Sequence, residues 1–163
     1  MKLTASITID APIERVWETL TDENKFPLWI VNAPFVSYPE GARRADPTGQ
    51  QFILTFPIAP TGRQPRKVYG EHLVFSFPDR LVTRYRDEEK TTLVTYALRS
   101  EGPRTTIIAV RSESSEFRPA FVKFFARLLA PLFQRMTKSA LSRLKHLVES
   151  DEPNWPTTKL QNP

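Results

Sequence analysis

The chain has 163 residues with 15 prolines and 5 glycines, it contains no cysteine, and its net charge is +5. This length suits a single domain, and the missing cysteines exclude disulfides, thiolate metal sites and a cysteine nucleophile. Only two histidines are present, His72 and His146, and there is no glycine-rich phosphate loop, so we expect neither a metal nor a cofactor.

The N-terminal part predicts one strand followed by two short helices. Apolar and polar residues alternate over residues 2–10, which is typical of a strand with one buried face. Asp10 can cap a helix that begins near Pro12, because proline is tolerated in a first helical turn. A second cap at residues 21–22 predicts another short helix, which carries the apolar residues of the segment 26–29.

The middle of the chain predicts an antiparallel meander. Period-two alternation recurs in successive segments, namely 52–56, 66–77, 81–87, 91–99 and 105–113. Turn sequences such as Pro78-Asp79 and Gly102-Pro103 separate the later segments. Consecutive strands joined by tight turns pair in antiparallel fashion, so we expect one sheet with neighbouring strands in chain order.

The last third predicts one long amphipathic helix. From Pro119 to about Glu149 the apolar residues recur at spacings of three and four, and Pro131 should kink the helix. We expect the domain to span residues 1–150 and residues 151–163 to form a flexible tail. The chain has no apolar run long enough for a membrane span and no signal-peptide core, so we expect a cytoplasmic protein.

Five short segments, in this order, resemble the START-like or SRPBCC superfamily. They are Ile9–Trp17, Thr21-Asp22 with Phe26–Trp29, Phe77–Leu81, Gly102–Ile107 and Leu141–Glu149, and the resemblance covers residues 2–149. The superfamily includes lipid-transfer domains, plant pathogenesis-related ligand carriers and polyketide cyclases/dehydrases. The resemblance implies an α+β helix-grip fold. A curved antiparallel sheet would wrap around one long C-terminal helix, with two short helices after the first strand and a ligand cavity between sheet and helix.

Sheet parity then selects the side chains that would line this cavity. We set Phe75, Leu81 and Ile107 as inward-facing; a bulge or a one-residue slip would invert a strand's assignment. The predicted ligand-binding residues are Phe52, Leu54, Tyr69, Glu71, Phe75, Tyr85, Tyr96 and Arg111 from the sheet and Phe121, Phe125 and Leu128 from the helix. Apolar walls with a few polar groups are typical of small-molecule pockets, and ordinary core packing is the alternative interpretation of the aromatic residues.

The polar members of this set carry the candidate chemistry. A cavity-facing Arg111 needs a partner, because an unpaired buried charge costs several kcal/mol; Glu71 or an acidic ligand could supply it. The alternative is an arginine that reaches solvent from the strand. Adjacent strand residues point to opposite faces, so His72 is expected on the solvent side, away from Glu71. No serine has a histidine partner in evident reach, and no catalytic residue is assigned.

The charge is concentrated in the C-terminal helix. Residues 118–148 contain seven basic residues and no acidic one, which leaves the rest of the chain at −2. A solvated helix face is the ordinary interpretation. The functional alternative is docking on an anionic membrane surface. A nucleic-acid partner is not expected, since no aromatic platform or recognition motif accompanies the charge.

Three functional hypotheses follow from the sequence. The first is a carrier or sensor that binds a hydrophobic or amphipathic small molecule, such as a lipid, a polyketide or an aromatic compound. The second is a polyketide cyclase/dehydrase-like enzyme, in which a tyrosine or Glu71 moves a proton and Arg111 stabilises an enolate. The third is a module that docks on a protein or an anionic membrane through the basic helix face. The sequence leaves open whether the chain is an enzyme.

Overall fold

The computed structural model describes residues 2–32, 34–39, 47–57, 65–88, 90–116 and 120–150, with the backbone alone for residues 116 and 120–128. The elements in chain order are β1 (Lys2–Ile9), α1 (Ile13–Thr21), α2 (Phe26–Trp29), β2 (Phe35–Ser37), β3 (Gln51–Phe56), β4 (Arg66–Ser76), β5 (Arg80–Arg86), β6 (Lys90–Gly102), β7 (Thr105–Glu116) and α3 (Ala120–Ser150). A single 3₁₀ turn at Glu23–Lys25 precedes α2.

The strands form one antiparallel sheet in the order β1-β7-β6-β5-β4-β3-β2. From β2 to β7 each strand pairs with the next one along the chain, which is the pattern of an antiparallel meander. The sheet is curved, and α3 lies on its concave side against β1, α1 and α2. The predicted α+β helix-grip fold is therefore confirmed. Within the described ranges, no helix combines the length and the apolar character needed to cross a membrane.

The local signals in the sequence account for most element boundaries. Asp22 caps the 3₁₀ turn, where its side chain accepts a hydrogen bond from the Asn24 backbone N–H at 3.0 Å. Pro12, rather than Asp10, occupies the cap position of α1, with no side-chain hydrogen bond there. The three-residue strand β2 was not predicted, because it is too short to show an alternating pattern.

The core lies where the C-terminal half of α3 meets the sheet and α1. Its most deeply buried members include Ile9, Val16, Ile108, Leu144 and Val148. Burying each such side chain contributes roughly 1.5–3 kcal/mol, so this cluster is the main attachment of α3.

Two polar contacts fix the same end of α3 to the end of β1. Lys145 donates from Nζ to the Thr8 carbonyl at 2.7 Å, and the Asp10 N–H donates to Glu149 Oε1 at 2.9 Å. The Asp10 N–H, with Lys145 as a second donor, holds the pKa of Glu149 below its ordinary value.

The sheet departs from the predicted parity at two strands. In β4 the pairing shifts between His72 and Val74, which marks a bulge. Before the bulge, Val68, Gly70 and His72 face inward. After it, the inward-facing residue is Phe75. In β7 the buried residues are Ile108 and Val110, not Ile107. The segment 107–110 is apolar on both faces, so its alternation carries no direction.

Candidate functional site

The site is built on the concave side of β4, β5 and β6, the middle of the sheet. Register places neighbouring side chains on this face, since His72 pairs with Thr83, Thr83 with Val94, and Leu81 with both Phe75 and Tyr96. Phe52 on β3 extends the group across Gly70, with which it pairs. We call this group the concave centre; its members are Phe52, His72, Phe75, Thr83, Tyr85, Val94 and Tyr96.

The concave centre is covered less completely than the core beside it. Ile108 and Leu144 are fully buried where α3 meets the sheet. Phe75, Tyr85 and Tyr96 are only half-buried, although they lie on the same face and pack against the core cluster. Aromatic surface therefore remains accessible on the concave side of the sheet, where a ligand could cover it.

His72 is the most deeply buried titratable group of the concave centre, with 5% of its surface exposed. Its Nδ1 shares a hydrogen bond of 2.9 Å with the Thr83 hydroxyl, and its ring lies 4.9 Å from Phe52 and 5.6 Å from Phe75. Burial lowers the pKa of His72 from 6.5 to about 4, so the imidazole is neutral near pH 7. Thr83 is the ring's hydrogen-bond partner among the described residues, which leaves Nε2 for another group.

Two tyrosines supply further uncharged polar groups. Burial raises the pKa of Tyr85 to about 12, partly offset by a hydrogen bond with Thr83. Burial likewise raises the pKa of Tyr96 above its ordinary range, and the nearby Tyr85 adds to the rise. Both phenols are therefore protonated near pH 7 and can donate a hydrogen bond to an oxygen of a ligand.

A glycine shapes one side of the concave centre. The ring of Phe52 lies directly over Gly70, and a Cβ added to Gly70 would stand 2.3 Å from Phe52 Cζ. Glycine inside a strand often marks such a close approach. Gly70 therefore allows Phe52, which is 1% exposed, to lie flat against the sheet beside His72 and Tyr85.

Charge is confined to the rims and the opposite face of the sheet. Between its rims at Arg66 and Lys90, the concave face carries no acidic or basic residue among the side chains that the structure describes, apart from the neutral His72. Lys90 stands over the ring of Phe133 of α3, 5.5 Å from its centroid. In the described ranges, no group of three metal-ligating side chains is close enough to hold an ion.

The structure corrects four of the sequence assignments. Tyr69 is 54% exposed on the convex face, where Glu71 forms an ion pair with Arg84. Arg111 also lies on the convex face and pairs with Glu113. His72 is the reverse case, since it was expected in solvent and is buried. The β4 bulge and the two-sided apolar character of β7 explain these inversions.

The remaining assignments divide into two groups. Phe52, Leu54, Phe75, Tyr85 and Tyr96 lie on the concave side, as parity indicated, and their role as ligand-binding residues stays a prediction.

The helix residues of the set, Phe121, Phe125 and Leu128, have side chains outside the described part of the structure. Further along α3, Leu132 is 53% exposed, while its neighbour Phe133 is half-buried. His72 and Thr83 were missed. In the sequence, Gly70, two positions before His72, was the one indication of irregular strand pairing near that residue.

Comparison with known proteins assigns the family. The family model for polyketide cyclase / dehydrase and lipid transport matches residues 1–149. The chain therefore belongs to this family, in agreement with the superfamily resemblance of its sequence. Among curated proteins, none matches the chain.

Solved structures share the fold at low sequence identity. The Zhui aromatase/cyclase from Streptomyces sp. R1128 has a TM-score of 0.72 at 12% identity, covering 91% of this chain and 93% of that one. A protein from Rhodobacter sphaeroides has a TM-score of 0.67 at 21% identity and 93% coverage of both chains. DynU16, from the dynemicin biosynthetic locus, has a TM-score of 0.67 at 19% identity, covering 93% of this chain. This chain spans about half of DynU16, 48% of its length, and these identities show the fold alone.

Proposed function

We propose that this protein binds a hydrophobic or amphipathic small molecule between the concave centre and α3, and that the ligand's polar end is uncharged. The observation that carries the proposal is the incomplete burial of Phe75, Tyr85 and Tyr96 beside a fully buried core. Family membership supports it, because the family combines polyketide cyclases and dehydrases with lipid transport.

The apolar part of the ligand would replace water on the aromatic residues. Each Å² of apolar surface removed from water contributes about 25 cal/mol, so covering even a modest part of Phe75, Val94 and the tyrosine rings favours binding. Phe75 is held in place from the other side by Trp17 of α1, whose ring packs edge-on at 5.1 Å. Phe75 is therefore held in place before the ligand arrives, which lowers the entropy cost of binding.

The polar part would be a carbonyl, hydroxyl or phenol group. Tyr85 and Tyr96 remain protonated and can donate, and His72 keeps one ring nitrogen for a ligand. No described cation lies within the concave centre, so a carboxylate buried there would lose its hydration without a compensating charge. A ligand with a neutral polar end is therefore favoured over the acidic ligand that an inward-facing Arg111 would have bound.

Holding a ligand fits the site better than transforming it. General acid–base catalysis works best with a pKa near the working pH, whereas those of His72 and Tyr85 are about 4 and about 12. The cyclase/dehydrase hypothesis also relied on Glu71 and Arg111, and both are paired with partners on the convex face. We therefore favour a carrier or sensor over an enzyme.

A matched pair of aromatic probes tests this proposal. Naphthol and naphthoate share one ring system, but the first has an uncharged phenol and the second a carboxylate at neutral pH. We expect naphthol to bind more tightly in a fluorescence titration, and Tyr96→Phe to weaken it by roughly three- to tenfold, the worth of one hydrogen bond.

Arg111→Ala is the matched control on the convex face and should bind naphthol as the wild type does. Mass spectrometry of the native protein should also detect small apolar molecules that co-purify with it. Tighter binding of naphthoate, or equal loss in Arg111→Ala and Tyr96→Phe, would contradict the proposal.

A further inference from the structure

The outward side of α3 combines exposed leucines with exposed cations. Leu129 and Leu132 are 42% and 53% exposed. Arg135, Lys138 and Arg143 follow on the same helix and are also exposed. Successive residues of a helix are about 100° apart, which points Leu132 and Arg135 away from the side that attaches α3 to the sheet and places Leu129 and Lys138 at opposite edges of the outward half. We call these five residues the basic–apolar face.

The cations of this face are directed to solvent. Arg135, Lys138 and Arg143 form no ion pair with any carboxylate in the described ranges. Lys145, two residues after Arg143, is different, since it donates to the Thr8 carbonyl at 2.7 Å and pairs with Glu149 at 2.8 Å. The sequence reinforces the contrast, because residues 118–148 hold seven basic residues and no acidic one.

We propose that the basic–apolar face docks the protein on an anionic lipid surface. A surface helix with leucines among basic residues binds in the headgroup region by inserting its apolar side chains and pairing its cations with anionic lipids. Each lysine or arginine near such a surface raises the affinity about fivefold. A nucleic acid would complement the charge of this face but not its leucines, because a phosphate backbone offers them no apolar contact. The five residues also include no aromatic ring that could stack on a base.

This surface is separate from the ligand site. The concave centre faces the inner side of α3, whereas the basic–apolar face points outward, so one helix would serve both. The docking proposal does not depend on the nature of the ligand, and its test uses lipid vesicles without one.

Vesicle co-sedimentation tests the docking directly. We expect the full chain to pellet with phosphatidylcholine vesicles that contain phosphatidylserine, to stay in solution with phosphatidylcholine alone, and to be released as salt increases. Arg135→Glu combined with Lys138→Glu should weaken binding about 25-fold or more. Leu132→Ser should weaken binding to the same vesicles and leave its salt dependence unchanged.

The matched control reverses the same amount of charge elsewhere. Arg80 and Arg86 are exposed at the two ends of β5, and Arg80→Glu combined with Arg86→Glu should retain most of the binding. Circular dichroism verifies that every variant is folded. The proposal is overturned if the control weakens binding as much as the α3 variant, if neutral vesicles bind equally well, or if the chain binds RNA and not the anionic vesicles.

Discussion

The two faces of the sheet are made by alternate residues of the same strands, yet they differ completely in charge. Glu71 on the convex face pairs with Arg84, while the next residue, His72, is buried and neutral on the concave face. The difference comes from what covers each face. Because α3 and α1 cover much of the concave side, charged groups there would lose most of their hydration, and uncharged donors and acceptors take their place.

This contrast separates stability from recognition. Ion pairs of the convex face lie in or near solvent, so each contributes only about 0–1 kcal/mol to stability. The concave face supplies the core at its β1 side and leaves accessible aromatic surface at its centre. The following changes, in decreasing order of their effect, test that division.

The largest effect is expected for Phe52. Phe52→Ala would remove a ring that is 1% exposed, and should lower the free energy of unfolding by about 3–5 kcal/mol. Ile53→Ala is the matched change on the convex face, where Ile53 is half-buried, and should have less than half of that effect. Urea unfolding followed by tryptophan fluorescence measures both. A larger loss for Ile53→Ala would break the contrast between the faces.

Gly70→Ala should be the next most destabilising change. Its methyl group would stand 2.3 Å from Phe52 Cζ, and overpacking of this kind costs roughly 1–3 kcal/mol. Gly102→Ala is the control, because a Cβ there has no neighbour within 4 Å among the described residues. We expect Gly102→Ala to leave the midpoint of thermal unfolding nearly unchanged. If Gly70→Ala does the same, the ring of Phe52 does not lie over Gly70 as described.

His72 should make stability sensitive to mild acid. Its pKa is about 4 in the folded protein and 6.5 in the unfolded reference, so the unfolded state takes up a proton first as the pH falls. Stability should therefore decrease by about 1 kcal/mol between about pH 7 and pH 5.5, a range above the titration of most carboxylates.

Two variants isolate this pH effect. His72→Gln should flatten the dependence of the unfolding free energy on pH over that range, whereas His146→Gln, at an exposed position on α3, should retain it. The same slope in wild type and His72→Gln would show that His72 is not held neutral by burial.

The smallest effect is expected on the convex face. Arg84→Ala removes the partner of Glu71, and both side chains are partly exposed, so the loss should stay below about 1 kcal/mol. Naphthol binding should not change. A loss above about 2 kcal/mol in urea unfolding, which is more than a solvent-screened pair contributes, would show that this pair is part of the structural core.

The sequence was sufficient for the fold because its signals agree with one another. Alternation in the segments of β3, β5 and β6, tight turns between strands, and the period of α3 each point to the observed element. Parity in β5 and β6 was also readable, since Leu81 was set as inward-facing and is buried, and Leu98 is buried on the same face. These strands hold four of the seven residues of the concave centre.

The candidate site was less predictable because its decisive features are not local. The β4 bulge inverts the side chains around His72 and leaves only Gly70 as a sign in the sequence. In β7, residues on both faces are apolar, so the sequence does not indicate which of them face the concave side.

In α3, spacings of four drift by about 40° each, so Leu132 and Leu144 lie about 120° apart. They therefore cannot both face the sheet, and Leu144 is the one that is buried.

The location of the ligand is tested by asking which face of one strand it touches. Leu93 and Val94 are adjacent in β6 and carry methyl groups on opposite faces, Val94 on the concave one. With methyl-labelled protein and naphthol, we expect intermolecular nuclear Overhauser effects to Val94 and Leu98 and none to Leu93. Contacts to Leu93 and Ala97, without contacts to Val94, would place the ligand on the convex face and contradict the account.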